Sequence, residues 1–110
     1  MEATPRQLEI YSTNDGKEPF EDWMKALKDV AGRAAIRARL ERVEEGNFGD
    51  HESVGDGVFE LRINFGPGYR VYYGQDGKVI VLLLNGGDKS TQEKKIKKAK
   101  KYWQDYQERG

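Results

Sequence analysis

Residues 79–84 read Val-Ile-Val-Leu-Leu-Leu, the longest unbroken apolar run in the chain. Six apolar residues fall far short of the ~20 that a membrane-spanning helix needs. A short run that is apolar on both faces reads as a strand in the middle of a sheet. Lys78–Leu84 is therefore expected to be the central strand, and the rest of the chain must supply its neighbours.

Those neighbours are visible just upstream, where apolar residues recur with a period of two. Phe59, Leu61 and Ile63 alternate with Glu60 and Arg62, which predicts a strand over Val58–Ile63. Gly66-Pro67-Gly68 is a turn, so Tyr69–Tyr73 should return antiparallel. With Val71 facing the core, Tyr69 and Tyr73 join it, and Arg70 and Tyr72 point the other way. A shorter edge strand is expected within residues 50–54.

The first half is patterned differently. Leu8 and Ile10 suggest a short first strand, closed by Asn14-Asp15-Gly16. Pro19 suits a helix's first turn, and Phe20, Trp23, Met24 and Leu27 follow at helical spacing. Gly32 interrupts, and Ile36, Leu40 and Val43 then mark a second helix, ended by Gly46-Asn47. These two helices are expected to form an αα-hairpin. After the central strand, Thr91 is placed to cap a last helix whose buried stripe is Ile96, Ala99, Trp103 and Tyr106.

The expected fold class is α+β: an N-terminal αα-hairpin and a C-terminal helix on one face of a mostly antiparallel sheet. Glu60, Arg62, Arg70 and Tyr72 would then lie on the sheet's open face. At 110 residues the chain, 1–110, is expected to be a single domain. The absence of cysteine suits a reducing compartment and excludes a disulfide scaffold or thiolate nucleophile. With neither a signal-peptide pattern nor an apolar span, a cytoplasmic protein without membrane association is expected.

A net charge of zero hides an asymmetry. Residues 1–60 carry eight basic and fourteen acidic side chains, a net of −6; residues 61–110 carry eleven and five, a net of +6. The second half contains six lysines within residues 94–101. Lys94, Lys97, Lys98 and Lys101 read either as a solvated helix face or as an electrostatic surface for a nucleic-acid backbone.

Arg62 and Arg70 fall on one face of one hairpin. Guanidinium forks bind phosphate bidentately, and the competing reading is a cross-strand ladder with carboxylates such as Glu60. Lys89 follows the central strand through Gly86-Gly87; taken alone, Gly86-Gly87-Asp88 reads as a strand-to-helix turn, and the sharper reading is that the pair ends the strand with little bulk and turns Lys89 toward the arginines. The G-x-x-x-x-G-K spacing of a nucleotide phosphate loop is absent. His51, the sole histidine, rules out a histidine-pair metal site; it reads as a proton carrier or as an ordinary surface residue. Tyr72 could stack on a base or simply shield the sheet.

The stretches GNFGD, VGDGVFELRINFGPGYRVYY and VLLLNGGDKSTQ, with the helices PFEDWMKAL and IRARLERVEEGN, resemble the RelE/ParE superfamily of toxin–antitoxin toxins, and within it the HigB-like branch of addiction-module killer proteins. The likeness covers nearly the whole chain. It implies a compact RelE-like toxin fold and a ribosome-dependent endoribonuclease, an mRNA interferase that needs no cofactor. It also implies a cognate antitoxin in a hetero-oligomeric complex, with ribosome and mRNA as targets.

Carried over by motif, the arginine of ELR is Arg62, that of YRVYY is Arg70, and the lysine of GGDKSTQ is Lys89. Tyr72 and His51 would shuttle protons or stack. The branch commonly holds a lysine between GD and VG, where this chain has His51-Glu52-Ser53, leaving His51 as its substitute. The superfamily is split, and the alternative is a ParE-like toxin that inhibits DNA gyrase without cutting RNA.

Overall fold

The computed structural model describes residues 4–109; residues 1–3 and 110 of the expected domain lie outside the described residues. The elements run β1 (Gln7–Ile10), α1 (Pro19–Ala26), α2 (Val30–Glu44), β2 (His51–Gly55), β3 (Val58–Ile63), β4 (Tyr69–Asp76), β5 (Ile80–Asp88) and, after a short 3-10 turn at Lys89–Thr91, α3 (Gln92–Arg109). Among them, no helix is long and apolar enough to cross a membrane.

The fold is α+β, but it is not an αα-hairpin against a mostly antiparallel sheet. The five strands form one mixed sheet in the order β1-β5-β4-β3-β2. β1 lies parallel to β5, with Gln7 opposite Ile80 and Ile10 opposite Leu83. β4, and not the apolar β5 expected there, is the middle strand of the five, but β5 still needs a partner on each edge. β4 takes one, and the chain's first strand, distant in sequence, takes the other.

The two N-terminal helices also fail to form a hairpin. Extended backbone at Leu27 (φ −77°, ψ 111°) ends α1, and Asp29 starts α2 by accepting the Gly32 N–H at 2.9 Å. Gly32 therefore belongs to the first turn of α2 and does not interrupt it. α1 lies over β5 and α2 over β3. Their apolar residues Phe20, Met24, Ile36, Leu40 and Val43 join Leu61, Ile63, Val71, Tyr73, Val81 and Leu83 in the larger core.

The other face of the sheet, expected to be open, is covered. α3 packs there, and Ala99 and Trp103 form a second core with Tyr72, Leu82, Leu84, Val58 and Tyr11. The helical stripe read from the sequence is the buried one, and its target is the face expected to be open.

Gly86 and Gly87 lie inside β5 and do not terminate it. A Cβ on Gly86 would sit 2.2 Å from the Trp23 ring, and one on Gly87 would sit 2.6 Å from the Thr91 hydroxyl oxygen. The pair thus admits α1 on one face and the start of α3 on the other. Gly86→Ala should destabilise the fold by about 1–3 kcal/mol through overpacking. A shift of the urea midpoint would show it; an unchanged midpoint would mean that Trp23 moves aside freely.

Candidate functional site

The β3–β4 register sets Arg62 opposite Arg70 and Glu60 opposite Tyr72, so all four side chains share one face. α3 buries most of that group. Glu60 and Tyr72 are 0% exposed and Arg70 is 7% exposed. A buried carboxylate needs compensation, and Glu60 has it. Its Oε2 accepts from the Tyr72 hydroxyl at 3.0 Å and from Gln92 Nε2, on α3, at 2.8 Å. Its Oε1 accepts from Arg62 Nε at 3.1 Å and lies 3.9 Å from Arg70 Nε.

Arg62 is more fully engaged. It also pairs with Glu52 on β2 and lies 3.9 Å from Asp50, so three carboxylates surround it. The cross-strand ladder, held open from the sequence, is present here alongside the two arginines.

Tyr72 is not accessible for base stacking. Burial, and then the charge of Glu60, push its phenol well above the ordinary tyrosine value, which keeps the proton on the ring oxygen near neutral pH. His51 stands on the other side of the sheet. It pairs with Leu61 in register, its Nδ1 lies 2.9 Å from the Gly49 carbonyl, and its ring rests against Phe48. The structure does not bring His51 to the arginines.

Arg70 and Lys89 do converge. The Lys89 N–H donates to the Gly68 carbonyl at 2.9 Å, tying the residue after β5 to the β3–β4 turn. Asp88 holds that corner in a capping box with Thr91 and also accepts from the Ser90 N–H and hydroxyl. Measured from the point where a Cβ on Gly68 would stand, Arg70 Nη1 is 3.5 Å away and Lys89 Cβ 3.6 Å. Both residues line a cleft of about 450 Å³ whose far wall is the turn from Asn64 to Gly68.

Lys89 is exposed, and no carboxylate among the described residues lies within ion-pair distance of it. Arg70 Nη1 donates to the Tyr69 carbonyl at 3.1 Å, and its buried Nε has no hydrogen-bond acceptor. Arg62 does not line the cleft. Two cationic side chains thus line the same cleft, and guanidinium and ammonium groups are chemically suited to phosphate oxygens.

Lys94, Lys97, Lys98 and Lys101 are exposed along the outer side of α3. Lys95 lays its stem over Gly87, and burial followed by the neighbouring Lys98 and Lys94 lowers its pKa. Among the described residues, no three His, Cys, Asp or Glu side chains converge as metal ligands.

The sequence reading missed Glu60 as the hub and Gln92 as its link to α3. The position of Glu60 opposite Tyr72 was legible; that α3 would cover both was not.

A second support lies behind the turn. Tyr69 donates its hydroxyl to Asp29 at 2.7 Å. That bond first, and then the Gly32 N–H, hold the Asp29 carboxyl below its ordinary value. The stabilisation is complete above the unfolded-state value near ~4 and is lost as pH falls through the lower folded value. Asp29→Asn keeps an acceptor but removes the charge. It should therefore flatten the acid limb of a stability–pH curve, whereas an unaltered limb would assign acid sensitivity to other carboxylates.

Residues 22–104 match the family model described as Phage derived protein Gp49-like (DUF891). The chain belongs to the Gp49-like family. It is also 56% identical over 81 residues, covering 74% of this chain and 82% of the relative, to an uncharacterized protein of Haemophilus influenzae (strain ATCC 51907 / DSM 11121 / KW20 / Rd). Gp49-like proteins are associated with RelE-like toxins of toxin–antitoxin modules, an association that implies a cognate antitoxin as partner.

Proposed function

We propose that this Gp49-like protein is the toxin of a type II toxin–antitoxin module and that it cuts mRNA at the ribosome in the cytoplasm, silenced by its antitoxin. The observation that carries this reading is the convergence of Arg70 and the carboxylate-free Lys89 on one cleft. In such a reaction a ribose 2′-OH loses its proton and attacks the adjacent phosphorus. The bond from phosphorus to the 5′ oxygen breaks, a 2′,3′-cyclic phosphate forms, and the 5′ oxygen leaves with a proton. The part assigned to this chain is electrostatic: Lys89 and the Arg70 guanidinium stabilise the charge that builds on the phosphate oxygens. Arg62, enclosed by Glu52, Glu60 and Asp50, holds the hairpin's charge network together. The exposed lysines of α3 add sequence-blind attraction to ribosomal RNA.

The same enclosure of Arg62, with the burial of Tyr72, favours a second reading, a toxin that inhibits gyrase or another protein without nuclease chemistry. Induction in cells separates the two. The nuclease reading expects new mRNA 5′ ends within translated frames and normally supercoiled plasmid DNA. Intact mRNA accompanied by gyrase-linked DNA breaks would replace it with the second.

A further inference from the structure

With Tyr72 buried, the face of the cleft needs another aromatic if it is to hold a nucleotide by its base as well as by its phosphate. Phe65 supplies one. It stands in the Asn64–Gly68 turn, lines the cleft with Arg70 and Lys89, and is 39% exposed. Among the described residues only Val30, Phe65 and Val79 are large hydrophobic side chains left this open to water, and Phe65 is the aromatic one.

The turn that carries it is rigid. Phe65 N–H donates to the Ile63 carbonyl at 2.9 Å, Gly68 N–H donates to the Phe65 carbonyl at 3.0 Å, and the Gly68 carbonyl accepts from Lys89. Gly66 and Gly68 take φ of 55° and 82°, angles that other residues adopt with strain, and Pro67 between them is fixed. With the backbone fixed this way, only the side-chain torsions of Phe65 lose freedom when a base stacks on its ring. Asp29, whose Oδ2 lies 3.7 Å from where a Cβ on Gly66 would stand, accepts from the Tyr69 hydroxyl and the Gly32 N–H, donors that compensate part of its charge. Arg70 is more than nine-tenths buried and its Nε faces Glu60 at 3.9 Å, yet it lines the cleft, with Nη1 3.5 Å from where a Cβ on Gly68 would stand.

We infer that Phe65 is the nucleobase platform of this cleft: it stacks one unpaired base of single-stranded RNA while Arg70 and Lys89 hold the adjoining phosphate. The inference rests on the proposed RNA-directed function and names the subsite within it. Asn64, on the same turn, is placed to offer its amide to the base edge.

The test is fluorescence anisotropy with a labelled, uncleavable 2′-O-methyl hexanucleotide and an abasic version of it. Phe65→Ala and Phe65→Leu should weaken binding to the base-containing probe by roughly five- to one-hundred-fold, and Phe65→Trp should preserve it. The salt dependence should stay constant across this uncharged series, while Lys89→Ala lowers its slope by about 0.7. On the abasic probe, wild type and Phe65→Ala should bind alike. Equal binding of wild type and Phe65→Ala to the base-containing probe would overturn the inference, as would full retention by Phe65→Leu or failure of the wild type to bind. Because this assay involves no cleavage, Phe65-dependent binding together with uncut mRNA would sink only the nuclease reading. Cleavage that ignores Phe65 would sink only the platform.

Discussion

Lys89→Ala is expected to slow mRNA cleavage by roughly 100- to 1,000-fold, the usual consequence of removing one charge-stabilising group from a phosphate site. The fold should not suffer. Lys89 is exposed, and its structural bond to Gly68 comes from its backbone N–H. Growth of cells expressing the variant without antitoxin should therefore approach that of uninduced cells, with an unchanged thermal midpoint. Full toxicity from a folded Lys89→Ala protein would take the lysine out of the site and leave Arg70 alone in the cleft.

Glu60→Ala should act in the opposite way, chiefly on stability. The substitution leaves Tyr72 and Gln92 without an acceptor and deprives the buried Arg70 of its nearest carboxylate. Removing one member of a buried ion pair costs about 3–5 kcal/mol. A domain of this size is stable by only ~5–15 kcal/mol, so the variant should unfold at much lower urea. Glu60→Gln keeps one of the two oxygen acceptors and should lose less. Equal losses from the two variants would show that the charge of Glu60, and not its hydrogen bonding, holds α3 to the sheet.

Local pattern was the legible part of this chain. The alternation of Phe59, Leu61 and Ile63, and of Tyr69, Val71 and Tyr73, identified the hairpin and its buried face. The Ile96, Ala99 and Trp103 stripe identified the buried side of α3. What stayed hidden depends on which element meets which. β1 could not be assigned a parallel partner from four residues whose neighbour lies about seventy positions away. Glu60, Arg62, Arg70 and Tyr72 read as solvent-facing because polar residues on alternate strand positions usually are. Here α3 covers Glu60, Arg70 and Tyr72, and Glu60 accepts from both Tyr72 and Arg62. One clue was available: a strand apolar on both faces requires cover on both, and Leu82 and Leu84 meet α3.

The glycine pair misled for a related reason. A register shift between Tyr72 and Tyr73 leaves Leu84 unmatched and sets Asn85 opposite Tyr72. Asn85 then donates its amide to the Lys95 carbonyl at 3.2 Å, a link from β5 to α3. Beyond it, Gly86 clears Trp23 and Gly87 clears Thr91. The need for small residues was readable; the two side chains pressing on them were not. For the site, Lys89 beside Arg70 followed from the hairpin's geometry, whereas the carboxylates around Arg62 come from β2, whose register the sequence left open.

Ribosome-dependent cleavage of RNA is the activity on which everything proposed for this cleft depends. Purified protein added to a defined translation system should cut a translated mRNA within its reading frame, leave a 2′,3′-cyclic phosphate on the upstream fragment, and leave the same mRNA intact without ribosomes. An mRNA that stays whole on actively translating ribosomes, at protein concentrations matching theirs, would contradict it.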